Sequence, residues 1–224
     1  MRMRKYRKRF CFNLLILLAA LFLPLQIGAQ TTGDPEMLTQ ELISAEMAAN
    51  LGLELLHQLR EEDEQYARFL GFTSIEEARQ TSLGIPLRIF SGTSEQLLNF
   101  QDDSVPDTFF LDTNTITYPL LVNGHTVSSL SVVSYRDKTW RLARIGSAKF
   151  MVSVQRNRTS KLNFIIIISD LGLHFLTDRT SGKVALVPVS DAAHLKIKEG
   201  VQLSVRELAN RFAEQPRYRN APKP

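Results

Sequence analysis

A run of four consecutive isoleucines, at positions 165–168, constrains the fold more than any other stretch of this chain. Phe164 precedes the run and Ser169 ends it, so it is far too short to cross a membrane, which takes about 20 apolar residues. Its β-branched side chains are poorly suited to an ordinary helix. A short, continuously apolar run of this kind is typical of a strand buried on both faces. We therefore predict a central strand over residues 163–169.

A second group of strands is predicted upstream. Residues 116–122 and 126–135 flank Asn123-Gly124, a dipeptide that favours a tight hairpin because both residues tolerate positive φ. A further turn at residues 136–138 leads into a third strand over residues 139–145. In the returning strand, Leu130 and Val132 alternate with serines, which we interpret as the solvent-facing side.

Helices are predicted from capping and periodicity. Asp34-Pro35 favours a helix start, and apolar residues recur at three- and four-residue steps from Leu38 to Leu59, which marks one apolar face of the helix; an extension ends at Gly71. The acidic run at 61–64 is then expected on a solvated face of this helix. Further caps are predicted at Ser74/Glu77, Thr93/Gln96 and Ser204/Glu207. Residues 147–158 fit both a helix and a strand, and we favour the helix. Residues 173–177 and 183–189 form a predicted second hairpin.

The order of these elements predicts an α+β fold. A long N-terminal helix is expected to pack on one or more mainly antiparallel sheets, built from two hairpin or meander groups, with a C-terminal helix. Residues 30–215 are interpreted as a single domain, or as two fused halves with a break near residues 146–160. The proline-rich, basic tail at 216–224 is predicted to be disordered. A short strand is expected over residues 85–90, and its Pro86 indicates either an edge strand or the start of a strand.

The N-terminal 29 residues have the layout of a secretory signal peptide. A basic head is followed by an apolar run broken by Pro24, and Ala29 is the predicted cleavage site. A retained membrane anchor is the alternative. The full chain has 27 Lys and Arg against 23 Asp and Glu, and residues 1–29 hold six of the bases and no acid. The processed chain would therefore have 21 bases, 23 acids and a net charge of −2, which argues against nucleic acid as a partner. We predict a periplasmic or secreted protein.

Sequence motifs for common active sites are missing. Cys11, the single cysteine, lies in the leader, so the processed chain has no thiol and forms no disulfide. There is no G-x-S-x-G motif, although a serine beside His125 or His174 would be compatible with a hydrolase. The four histidines are too scattered to predict a metal site. No cofactor or metal is expected, and no catalytic residue is assigned.

Three weaker signals have ordinary structural interpretations. Asp112-Thr113-Asn114 resembles the start of a calcium loop but lacks its later ligands. Gly182-Lys183 lacks the rest of a phosphate loop and is interpreted as a hairpin turn. A catalytic carboxylate pair is conceivable among three aspartates that turn chemistry also explains. These aspartates are Asp102, Asp103 and Asp107.

An aromatic and arginine group suggests a partner contact. Tyr135, Trp140, Arg141 and Arg144 surround the third strand of the meander, and these residue types are enriched at interface hot spots. The alternative interpretation makes Trp140 a core anchor with the arginines on the opposite face. We predict an exported, non-enzymatic module that binds another protein or a peptide, or an envelope-associated module. A small periplasmic or secreted hydrolase, with a serine or acid site not evident from spacing, is the alternative. Membrane contact is expected only through an uncleaved leader.

Overall fold

The computed structural model describes residues 35–100, 109–159, 164–178 and 184–215, with side chains from Thr39 onward. It has a mixed α/β fold with a large, mainly antiparallel sheet. The helices are α1 Pro35–His57, α2 Glu64–Phe69, α3 Ile75–Arg79, α4 Ser94–Leu98, α5 Ala148–Asn157 and α6 Val205–Ala213. The strands are β1 Ser82–Leu83, β2 Leu87–Gly92, β3 Leu111–Val122, β4 His125–Ser134, β5 Trp140–Ile145, β6 Phe164–Ile168, β7 Leu173–Asp178, β8 Ala185–Pro188 and β9 Leu203–Ser204.

All nine strands belong to one sheet. Its order is β5-β4-β3-β2-β6-β7-β8-β9, and β1 adds two residues alongside β3. The two predicted strand groups are joined where β2 and β6 pair in parallel, and the other pairs between described strands are antiparallel. The break predicted near residues 146–160 coincides with α5, and the strands on both sides of it share this sheet.

The isoleucine strand is central, as predicted. β6 lies between β2 and β7, and Ile165, Ile166 and Ile168 are fully buried. The hairpin at Asn123-Gly124 is also confirmed, with positive φ at both residues and Val122 opposite His125. Pro86 directly precedes β2, which lies inside the sheet, so the interpretation as a strand start is correct and the edge interpretation is wrong.

Alternation along β2 assigns the helices to the two faces of the sheet. Arg88 binds Glu41 of α1, and Phe90, two residues later on the same face, packs in the cluster that includes α6. Leu87 points to the opposite face and packs with Met151 of α5. Hence α1 and α6 cover one face and α5 covers the other.

The N-terminal helix is shorter than predicted. It ends at His57, and a 3-10 turn over Glu61–Asp63 and the separate helix α2 follow. Arg60 is extended, and its amide donates to Asp63 Oδ2 at 2.9 Å, so part of the acidic run caps a new turn instead of lying on one long helix. Gly71, with φ of +100°, lies directly after the turn that ends α2.

The predicted caps are confirmed. Ser74, Thr93 and Ser204 each accept a hydrogen bond from the backbone amide three residues later. These bonds satisfy amides at the helix starts that have no partner within the helix. The preference for a helix over residues 147–158 is also correct, since α5 occupies 148–157. Within the described ranges, none of the helices is both long and apolar enough to cross a bilayer.

The solvent-facing interpretation of the β4 serines is wrong. Ser129 and Ser131 are buried, because α5 packs against β4. Ser129 Oγ donates to the carbonyl of Gly146, and the hydroxyls of Ser131 and Thr117 lie 2.8 Å apart. Each buried hydroxyl therefore has a partner, which removes most of the cost of taking it out of water.

Candidate functional site: the β5 edge of the sheet

The strand β5 forms one end of the sheet. It pairs with β4 from Leu130↔Ile145 to Ser134↔Trp140, with an irregularity beside Ser131. In the part of the chain that the structure describes, no strand pairs with its other side. An end strand presents a row of backbone donors and acceptors that another extended chain can complete.

Trp140 is directed into the core. It and Leu142 are half-buried and pack against the cluster beneath α1. This placement matches the core-anchor interpretation of Trp140. The alternation along β5 puts Arg141 on the opposite side, where it is exposed.

Tyr135 and Arg141 come together at the turn before β5. The guanidinium carbon of Arg141 lies 5.0 Å from the centre of the Tyr135 ring, within the range of a cation–π contact. Arg141 Nη2 also lies 3.3 Å from Asp137 Oδ2. This cluster is exposed to solvent, so it adds little to stability and leaves the arginine accessible.

Asp137 organises the same turn. Its Oδ1 accepts hydrogen bonds from the Thr139 hydroxyl at 2.6 Å and the Thr139 amide at 3.0 Å. These bonds, followed by the charge of Arg141, hold the pKa of Asp137 below its ordinary value. Lys138 takes a positive φ of 60° to close the turn. The turn is therefore built around an ionised carboxylate.

Arg144 lies further along the strand, opposite Ser131. It is exposed, and its positive charge interacts electrostatically with His174. Burial, and then the charge of Arg144, lowers the pKa of His174, whose ring packs 4.9 Å from that of Phe150 on α5. Of the four predicted contact residues, the structure brings Tyr135 and Arg141 together and directs Trp140 into the core. The register places Arg144 further along the same strand, opposite a β4 residue two positions from the partner of Arg141.

The histidines do not form a recognisable catalytic arrangement in the described ranges. His57, His125 and His194 are all exposed, and His57 Nε2 donates to the Thr81 carbonyl at 3.0 Å. None of the described histidines is hydrogen-bonded to a serine or a carboxylate, and no described group of three or more histidine or acidic residues is placed to hold a metal ion. Three aspartates and two turn residues considered above lie outside the described residues. They are Asp102, Asp103, Asp107, Gly182 and Lys183.

Asp112 has a structural partner. Its Oδ2 lies 2.6 Å from Arg88 Nε, and Glu41 binds the other end of the same guanidinium at 3.0 and 3.1 Å. Burial lowers the pKa of Arg88, but the charges and hydrogen bonds of Asp112 and Glu41 outweigh it and raise that pKa. The network ties α1 to β2 and β3.

Sequence reasoning missed a groove beside α5. It has a volume of about 830 Å³ and lies between α5 and the β3–β4 hairpin, with Ile85, His125 and Val152 among its walls. Gln155 Nε2 is buried at this groove and has no hydrogen-bond partner. No pattern in the sequence marks the groove, because its walls come from segments far apart in the chain.

Comparison with known proteins does not assign the chain to a family. No family model matches it, and neither the curated proteins nor the solved structures include a significant match.

Proposed function

We propose that this protein is an exported, non-enzymatic binding module that receives an extended peptide segment of another protein along the outer edge of β5. The observation that carries the proposal is the position of β5, a six-residue end strand without a second neighbour among the described strands. Strand addition to such an edge gains affinity from main-chain hydrogen bonds and specificity from alternate side chains.

The charge around β5 favours an acidic peptide. Residues 136–149 contain five basic side chains and one acid, although the processed chain as a whole is slightly acidic. Arg136, Lys138, Arg141 and Arg144 are all exposed. Complementary charge of this kind steers association and selects between partners.

Charges on an end strand also have a protective role, since they discourage edge-to-edge aggregation. The two roles make different predictions. A purely protective edge would bind no peptide selectively, and reversing its charges would change solubility alone. A binding edge would select for an acidic strand and would need that strand's backbone amides.

A labelled peptide of alternating glutamate and valine residues, tested by fluorescence anisotropy, distinguishes these roles. We expect it to bind and to lose binding when alternate amides on its pairing edge are N-methylated, because those amides would join the sheet. The Arg141→Glu, Arg144→Glu double variant should bind about tenfold more weakly or worse. Lys198→Glu, an exposed change near β9, is the matched control and should bind like the wild type.

Two results would overturn the proposal. One is equal binding of the N-methylated peptide, or no binding of either peptide. The other is hydrolase turnover that disappears in a folded His125→Ala or His174→Ala variant, because a binding module needs no proton transfer.

Export rests on residues 1–29 alone and has a separate test. Expressed in a Gram-negative host, the protein should be recovered from the periplasm or the medium with Gln30 at its N-terminus. Intact-mass analysis that finds the leader retained in the membrane fraction would contradict export of a free chain.

A further inference from the structure

The outer side of α1 carries large apolar residues. Ile43, Met47, Leu51 and Leu55 are exposed by 53%, 66%, 64% and 56%, respectively. Their four-residue spacing places them in one row, which we call the α1 stripe. At about 1.5 Å per residue the stripe runs for about 18 Å along the helix. A row this long differs from the single exposed apolar residues that are normal on protein surfaces.

The stripe is not the side of α1 that packs on the sheet. The inward side of α1 consists mostly of small residues, among them the buried Ala45 and Ala49, and includes one large residue, the fully buried Leu56, near the end of the helix. At Gly52, an added Cβ would lie 2.8 Å from Leu130 Cδ1 and 2.9 Å from Leu142 Cδ1. The helix therefore lies so close to the sheet at Gly52 that a larger side chain there would collide with these two leucines. Packing on the sheet uses mainly the small residues together with Leu56, and it leaves the large residues of the stripe for another contact.

Charge narrows the choice of what covers the stripe. Glu46 and Glu54 are exposed on the same helix, and residues 35–57 contain four glutamates and no lysine or arginine. Glu46 and Glu54 each directly precede a stripe residue and therefore lie on one flank of the row, so a second copy paired antiparallel through the stripe would bring Glu46 near Glu54 of the other copy. An anionic lipid surface would be repelled for the same reason.

We infer that the α1 stripe is a docking surface for an amphipathic helix of a partner protein, with an apolar row flanked by lysines or arginines. Such a helix would cover the apolar row and place its bases against Glu46 and Glu54, in the manner of paired amphipathic helices. This surface is distinct from the peptide edge of β5. Either can fail its test without affecting the other.

The probe is a synthetic helix of about 14 residues, long enough to follow the stripe. It has leucines in one row and lysines on both flanks, and its controls are a glutamate-flanked version and a scrambled sequence of the same composition. We expect the full exported chain to bind the lysine-flanked helix at least about tenfold more tightly than either control in isothermal titration calorimetry, with binding that weakens as salt is added.

Two sets of variants test the residues. Met47→Lys with Leu51→Lys should reduce affinity at least about tenfold, while Val201→Lys, an exposed apolar position elsewhere, should leave it unchanged. Glu46→Lys with Glu54→Lys should reverse the preference toward the glutamate-flanked helix. This reversal would not follow if the glutamates only kept the surface soluble.

Three results would overturn the inference. The first is equal binding of the scrambled and amphipathic peptides, or no binding of either. The second is concentration-dependent self-association in sedimentation that the Met47→Lys, Leu51→Lys variant abolishes, which would assign the stripe to a second copy. The third is flotation of the wild type, but not of this variant, with anionic vesicles, which would assign it to lipid.

Discussion

The helices α1 and α6 cover the same face of the sheet, but they use side-chain size in opposite ways. α6 buries Leu208 and Phe212 and directs residues such as Glu207 and Asn210 to solvent. α1 buries mainly alanines, together with Leu56 near its end, and exposes the α1 stripe. The large apolar side chains of α6 lie on the side that packs on the sheet, whereas most of those of α1 lie on the side that faces away from it. The comparison teaches that a helix can pack on its own sheet mainly through small residues and leave a row of large ones exposed.

On the opposite face of the sheet, the two strand groups differ in the side chains that α5 covers. In the first strand group, α5 covers a layer that includes the hydroxyls of Thr117, Ser129 and Ser131. In the second group, the same helix packs on Ile165 and Leu176. The second group therefore depends on apolar burial, and the first on burial together with satisfied hydrogen bonds.

The largest expected effect is at the centre of the second group. Ile166→Asp should abolish folding, because a carboxylate without a partner in an apolar cluster costs several kcal/mol, out of a total stability of about 5–15 kcal/mol. Ile167→Asp, at a half-buried position of the same strand, should be less severe. Soluble yield and thermal unfolding check both variants. A near-wild-type melting temperature for Ile166→Asp would show that β6 is not the core strand.

Truncations in the two helices sharpen the main comparison. Phe212→Ala should destabilise the protein by about 3–5 kcal/mol, since it removes a fully buried ring. Leu51→Ala should change stability by no more than about 0.5 kcal/mol, because most of that side chain is already in water. Urea unfolding of both variants measures the difference. Equal losses would mean that the stripe belongs to the fold and is not a docking surface.

The hydroxyl layer should show a smaller, non-additive effect. Ser131→Ala leaves the Thr117 hydroxyl buried without its partner, and we expect a loss of about 1–3 kcal/mol. The Ser131→Ala, Thr117→Val double variant should lose less stability than the sum of the losses in the two single variants, because neither hydroxyl of the pair then remains without its partner. Ser134→Ala, at a half-exposed position of the same strand, is the control. Strict additivity in urea unfolding would argue that the pair does not interact.

The smallest expected effect is a pH dependence from His174. The pKa of this residue is lowered from its ordinary value of 6.5, first by burial and then by the charge of Arg144. Below pH 6.5 the unfolded chain therefore binds a proton more readily than the folded chain. His174 should lower the free energy of unfolding as the pH falls from 6.5 toward the folded pKa. His174→Phe should flatten this slope, whereas His125→Phe, at an exposed turn, should not.

Most local elements were predictable because their signals lie within a few residues. The Asn123-Gly124 hairpin follows from two residues that accept positive φ, and the cap at Ser204 follows from its spacing to Glu207. The early end of α1 was not predictable from periodicity, since the apolar spacing continues past His57 while the chain turns at Arg60. The burial of Ser131 was missed because alternation shows which residues share a face, but not whether a helix covers that face.

By itself, the sequence determined the class of fold, the isoleucine strand and the basic segment around β5, since composition and short-range spacing carry each of them. Only the tertiary structure decided that the two strand groups share one sheet, that β5 ends it, and that the α1 stripe faces outward. The apolar spacing of α1 identified its inner side correctly at Ala45, Ala49 and Leu56, which are buried, but it did not show that the described fold leaves the other side, which also carries large apolar residues, uncovered. The spacing also does not reveal how closely the helix approaches the sheet: at Gly52 an added Cβ would lie 2.8 Å from Leu130 Cδ1 and 2.9 Å from Leu142 Cδ1, closer than packed side chains allow.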